Sequence, residues 1–364
     1  MPIEFKLEEY LSNGVENIVK EIIKASFKNP KESIFITKYV LASKEARKIR
    51  QNQELNGLHI PPFLIASITS SCNLHCSGCY ARANMSCGDH AATNQLTGIE
   101  WRKIFQEASD LGIGFILLAG GEPFMRYDVI EAAADFKNII FPIFTNGTMI
   151  NERYLNLFDR NRNLVPVLSI EGDEHLTDTR RGEGVYLKLI TAMDQMRNNG
   201  ILYGVSITVT KENIHKVTED SFITALSRRG CKVVFMVEYV PVNGITKELA
   251  PTNEEREYLD QMLIGLRMKY DDMLFISFPG DEKASGGCLA AGRGFFHINS
   301  NGGSEPCPFS PFSDTNVKET SIVVALKSPL FQKLSDNHML MQEHEGGCVL
   351  FEQEEMVKRL CNEK

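Results

Sequence analysis

No apolar run in this chain is long enough to span a membrane. The first ten residues, MPIEFKLEEY, are acidic and lack the apolar core of a secretory signal, so the expected compartment is the cytoplasm. Positive charge is outnumbered, 39 Lys and Arg against 47 Asp and Glu. A net charge of −8 argues against nucleic acid or an anionic membrane surface as partner. No internal repeat or low-complexity segment stands out. A disulfide framework does not suit a reducing compartment, so nine cysteines, an odd number, point to metal ligation or redox chemistry.

What is present is a globular composition, with 43% apolar and 24% charged residues. At 364 residues the chain exceeds the usual single domain, and one large domain with appendages is expected. A basic stretch from Lys38 to Arg50 reads as a solvated helix face. Residues 1–58 form an N-terminal helical segment, with Leu11, Val15, Ile18, Val19, Ile22 and Ile23 at helical spacing and a break at Asn29-Pro30. His59-Ile60-Pro61-Pro62 then acts as a stiff connector.

From Phe63 the texture changes to short apolar runs, at 63–69, 114–119, 139–145, 165–170, 203–209 and 232–240. Amphipathic segments separate them, one opened by a Thr97/Glu100 capping box and a later one by Thr252/Glu255. Six such units predict an α/β fold, an open or partial (β/α)6 TIM-like barrel over 59–279. Residues 280–364, rich at first in Gly, Ser, Pro and Cys, are expected to form a small C-terminal Cys-containing domain.

The polar oddities fall at strand ends. S-C-N-L-H-C-S-G-C-Y (71–80) follows the first strand, G-G-E-P (120–123) the second, T-N-G (145–147) the third and S-I-E-G (169–172) the fourth. Parallel strand ends converge on one face, where ligands bind. The site is predicted there. Cys72, Cys76 and Cys79 allow two metal readings. With His75 they could hold a tetrahedral zinc; alone they could hold three irons of a [4Fe–4S] cube, leaving the fourth open.

C-N-L-H-C-S-G-C resembles the C-x-x-x-C-x-x-C loop of the radical S-adenosylmethionine (radical SAM) superfamily, and G-G-E-P resembles that family's methionine-binding turn. The match runs from about residue 63 to 240. It implies a [4Fe–4S] cluster on Cys72, Cys76 and Cys79, SAM chelating its unique iron, and a 5′-deoxyadenosyl radical that abstracts hydrogen from a substrate. It further implies SAM contacts from Gly120, Gly121, Glu122, Asn146, Ser169, Glu171 and Arg181, with Arg180 as the competing arginine. Tyr80, which follows the last cysteine as in related branches, is implied as a further cofactor contact, whereas Gly78 stands where many members place an aromatic.

The C-terminal tract resembles the first half of a SPASM/twitch extension, which holds auxiliary iron–sulfur clusters. Cys288, Cys307 and Cys348 are the ligands this implies, with a hairpin turning at Asn301-Gly302-Gly303. A dense second cysteine cluster is absent, so one auxiliary cluster is expected. Cys231 reads as core; Cys87 reads as a loop-surface residue, with a place near the pocket as hydrogen donor or redox thiol as the alternative; Cys361 reads as incidental, with a fourth cluster ligand as the alternative. The expected function is radical modification of a peptide or protein, with a small-molecule or tetrapyrrole-like precursor as alternative substrate. A reductant such as flavodoxin or ferredoxin is the implied electron donor. An alternative of another class is a non-catalytic metal-binding or electron-transfer protein.

Overall fold

The computed structural model describes residues 30–90, 93–241, 244–285, 287–337, 339–341 and 348–362. The helix predicted across Leu11–Ile23 lies outside them. Six strands form where the apolar runs stand: β1 (Phe63–Ser67), β2 (Phe115–Ala119), β3 (Phe141–Thr145), β4 (Leu164–Ser169), β5 (Gly204–Val209) and β6 (Val233–Glu238). Three more follow: β7 (Leu274–Phe278), β8 (Phe295–Ile298) and β9 (Ser304–Glu305). The sheet order is β7-β6-β5-β4-β3-β2-β1-β8-β9, parallel throughout except for the β8–β9 pair. The result is a half-barrel with helices around it. It is the predicted partial TIM-like barrel, extended at both edges.

That extension places the C-terminal tract. β8 adds to the free edge of β1 in parallel, pairing Ile65 with His297, and β9 returns antiparallel to β8. Gly302, at φ +91°, lets the chain reverse between them, and its N–H donates to Asn299 O at 3.0 Å. The loop carrying Cys307 therefore starts one strand removed from β1, which feeds the first cysteine loop.

Sequence chemistry explains the helices. Thr97 accepts from Glu100 N while Glu100 accepts from Thr97 N at 2.7 Å, a complete capping box, and Thr252 with Glu255 repeats it. Alternating strand residues divide the faces: Leu64, Ala66, Ile116 and Leu118 join the buried core with Trp101, Ile104 and Phe105, while Phe63, Ile65, Phe115 and Leu117 line an interior cavity. The helix Pro30–Leu55 docks through Tyr39, whose hydroxyl donates to Gly114 O at 2.8 Å. The basic stretch is only partly the predicted solvated face, since Arg50 is buried and donates to Gly112 O at 2.7 Å. No helix among the described residues is long and apolar enough to cross a membrane.

Candidate active site

The strand ends enclose a cavity of about 580 Å³ that reaches from Cys72, Cys76 and Cys79 to Cys307. Its walls are largely aromatic: Phe63 packs on Phe115 and Phe295, and Phe144 on Phe235, at ring separations of 5.1–5.9 Å.

The first cysteine loop is fixed by its backbone. Cys72 N donates to Gly88 O at 3.0 Å and Ser77 N to Arg180 O at 2.8 Å. Arg82 closes it from below, donating to Leu74 O at 2.8 Å. All three cysteines are half-buried. The Cys87 thiol donates to Cys72, which together with Leu74 N and nearby arginines brings the Cys72 thiol down to about 6 against its burial. Burial pushes Cys76 up, and Arg181 and Arg180 oppose that shift. Cys87 is thus a neighbour of the site, the alternative that the sequence left beside a loop-surface position.

His75 does not join the cysteines. Its side chain is 67% exposed and its Nε2 lies 2.8 Å from Asp89. With His75 turned to Asp89, the loop offers three thiols and no fourth donor, the set that an open [4Fe–4S] cube takes and that a closed structural zinc does not.

Gly120 and Gly121 face this loop at van der Waals limits. A Cβ at Gly120, where φ is +123°, would lie 2.3 Å from Thr69 O, and one at Gly121 would lie 2.1 Å from Ser71 O. Gly121 N and Glu122 N donate to Thr69 O and Ser71 O at 2.9 and 2.8 Å, zipping the turn to the residues just before Cys72. Glu122 itself is 1% exposed and turned inward. Its carboxylate accepts from Thr145 Oγ1 at 2.7 Å, Asn146 N at 2.8 Å and Phe124 N at 3.0 Å, while burial raises its pKa to about 7. Asn146 lines the cavity and donates to Asn73 Oδ1 at 2.8 Å, bridging the third strand end to the cysteine loop. Ser169 also lines the cavity.

Glu171 does not reach the cavity. It is 1% exposed and takes three guanidinium donors on Oε1, from Arg180 at 2.5 Å and from Arg181 at 2.5 and 2.8 Å. Both arginines line the cavity. Two cations on one carboxylate leave a positive surplus beside Cys76 and suit a carboxylate ligand.

At the far end, Cys288, Cys307 and Cys348 come near enough that Cys307 feels the charge of both others. Burial is the main cause that drives all three thiols up, Cys348 to about 12 and the others well above their usual range. Tyr80 connects the two ends, its ring 4.8 Å from Phe309 and edge-on. Cys231 is buried, as predicted, and Cys361 lies half-buried in the last helix, Glu354–Asn362. Sequence reasoning missed Tyr239. A Cβ on Gly78 would lie 2.7 Å from Tyr239 Oη, so this ring fills the space in front of Gly78. Nothing local at Gly78 signals it, because Tyr239 follows the sixth strand.

Residues 66–221 match the model described as the Radical SAM superfamily. That region is a radical SAM domain. Among relatives, the Fe-coproporphyrin III synthase of Methanosarcina barkeri is 31% identical over 160 residues, 43% of this chain and 39% of that protein, so less than half of the relative is spanned. The PqqA peptide cyclase of Rhizobium meliloti is 26% identical over 278 residues, 72% of this chain and 73% of the cyclase. Among solved structures, Streptococcus suis SuiB bound to its precursor peptide SuiA superposes with a TM-score of 0.68 at 19% identity, over 88% of this chain and 80% of SuiB. That likeness shows the radical SAM half-barrel fold. Proteins of this superfamily are enzymes, and so is this one.

Proposed function

We propose that this enzyme modifies a peptide or protein side chain by radical chemistry, with Cys72, Cys76 and Cys79 holding the [4Fe–4S] cluster that binds SAM. When bound, cluster and SAM supply an electron and a 5′-deoxyadenosyl radical. The chain's own part is to hold and shield. Gly120 and Gly121 allow close backbone approach, Arg181 and Arg180 offer the positive surplus to the SAM carboxylate, and Asn146 and Ser169 present short polar groups to the rest of the molecule. Glu122 and Glu171 act one step back, fixing the turn and the arginines. The aromatic walls keep water from a reactive intermediate.

The cavity's charge carries the substrate reading. Among its described lining residues the cations are Arg180 and Arg181, both committed to Glu171; the others with charge are the acids Glu238, Asp281 and Glu282, of which Glu238 is paired with Arg256 and Asp281 with Arg267. A coproporphyrin brings several propionates and needs more cations than that. An apolar peptide side chain suits the walls. The relationship to the PqqA peptide cyclase supports this reading, and the higher identity to the Fe-coproporphyrin III synthase favours a tetrapyrrole-like precursor as the second. Residues 280–364 are assigned as a SPASM/twitch-like region with one auxiliary iron–sulfur cluster on Cys288, Cys307 and Cys348. A flavodoxin or ferredoxin in the cytoplasm is the assigned reductant. Anaerobic reconstitution with SAM and dithionite should yield 5′-deoxyadenosine by mass spectrometry. Added Fe-coproporphyrin III should leave that yield unchanged; stimulation by it would favour the second reading.

A further inference from the structure

Three polar side chains stand together just beyond the apolar wall of the cavity, on the successive strands β1, β8 and β9. Phe63 and Ile65 of β1 line the cavity, and Ser67 is next on the same strand face; Phe295 of β8 lines it too, and His297 is next on that face. Glu305 of β9 stands opposite His297 in the antiparallel register. His297 Nε2 lies 2.7 Å from Ser67 Oγ, and Nδ1 lies 2.7 Å from Glu305 Oε2. Asn299 donates to the second Glu305 oxygen at 2.5 Å. The His297 and Glu305 side chains are only 5% and 6% exposed, while Ser67 is half-buried.

Burying an imidazole and a carboxylate is costly unless each polar atom is paired, and the neighbouring positions on both strands show that Phe or Ile fits this wall. The pairing also has a direction. An ionised Glu305 only accepts, so Nδ1 carries the hydrogen, and Nε2 is left to accept from the Ser67 hydroxyl. That is the order hydroxyl, base and orienting carboxylate that activates a serine oxygen.

We propose that Ser67, His297 and Glu305 form a proton-accepting relay, with Ser67 Oγ taking a proton from an N–H, O–H or S–H of a substrate in the cavity. The substrate bond to hydrogen breaks and its electron pair stays on the substrate. Ser67 gains that proton as its own passes to His297 Nε2, and Glu305 holds the resulting imidazolium. The inference rests on the cavity being the substrate chamber, as proposed above.

A thiol in place of the hydroxyl reports this activation without any substrate. In the reconstituted full-length enzyme, the thiol introduced by Ser67→Cys should react with iodoacetamide at neutral pH at least about tenfold faster than the same thiol in Ser67→Cys/His297→Gln, measured by peptide mass spectrometry. Glu305→Gln in the Ser67→Cys background should also slow it. Should His297→Gln fail to fold, the thiol of Ser70→Cys, half-buried on the adjoining segment, supplies the reference rate. Equal rates with and without His297, or a Ser67→Cys thiol no faster than the Ser70→Cys thiol, would overturn the relay. Formation of 5′-deoxyadenosine by the unaltered enzyme reports on the radical SAM reading alone, so failure of that reading and failure of the relay are separate results.

Discussion

One cysteine triplet lines the cavity with all three of its members and the other with Cys307 alone, and the two sit in opposite electrostatic settings. Cys72, Cys76 and Cys79 are half-buried beside Arg180, Arg181 and Arg82, and Cys72 is pulled down to about 6. Cys288, Cys307 and Cys348 have Arg293 as a cation whose charge acts on Cys288, and burial drives every thiol of that set up. Thiolates are the metal-binding form. The first set thus offers one before any metal arrives and keeps an open side toward the cavity. If the second set takes the proposed auxiliary cluster, losing the protons and gaining it must be a single coupled event. On that proposal the first set suits exchange of a ligand and the second retention.

The largest test of this contrast removes a ligand from the exchangeable end. Cys76→Ala should take 5′-deoxyadenosine formation below detection, because no neighbouring residue can replace it. His75→Ala should leave cluster and activity in place, since His75 points to Asp89 and solvent. If His75→Ala loses metal as completely as Cys76→Ala, the zinc reading returns and the contrast collapses.

Next in size is Gly121→Val. Its Cβ would stand 2.1 Å from Ser71 O and 3.0 Å from Cys72 N, backbone atoms that cannot rotate away. A strain of about 1–3 kcal/mol or more then falls on the cysteine loop itself. SAM affinity and iron loading at the first site should both drop, with the iron of the far end retained. A fully loaded first cluster with only SAM binding lost would show that the turn and the loop are less tightly joined than these distances demand.

Iron content measures the far end directly. With both sites loaded as cubes the protein should hold about eight irons, and the Cys72/Cys76/Cys79 triple Ala variant about four. Triple Ala substitution of Cys288, Cys307 and Cys348 should leave the complementary four, with SAM cleavage at least partly retained. A folded but iron-free Cys72/Cys76/Cys79 variant would remove the auxiliary cluster.

How much of this was legible in the sequence follows the range of the interactions. β1 to β6 announce themselves because buried parallel strands are near-continuous apolar runs, and the capping boxes because their partners are three residues apart. The β8–β9 hairpin was legible at Asn301-Gly302-Gly303, but its parallel seat on β1 was not, because polar His297 makes sense only against Ser67 and Glu305. The strand-end residues were found by type, but their orientation was not. Glu122 and Glu171 read as ligand contacts and prove to be committed to their own scaffold, because the Thr145, Asn146 and arginine partners become neighbours only through the parallel register. Tyr239 in front of Gly78 is the same lesson at longer range.

The smallest effect expected is also the finest measure of the contrast, and it concerns the thiols before metal enters. In metal-free protein at pH 7, Cys72 should be the fastest of the six cysteines to react with iodoacetamide, and Cys288, Cys307 and Cys348 should be slow, since at that pH their burial keeps them protonated. The sign with pH follows. A lowered pKa means that the Cys72 thiolate persists above about 6 and is lost below it, so its alkylation should stay level from pH 8 to 7 and fall only as the medium becomes acidic. The main cause is donation from Cys87, with Leu74 N and Arg82 adding to it. Cys87→Ala removes that donor, and the Cys72 profile should move toward higher pH while the arginines and Leu74 N hold part of the shift. If the profile of Cys72 is unmoved by Cys87→Ala and resembles that of Cys348, the two ends differ in position only and not in electrostatics.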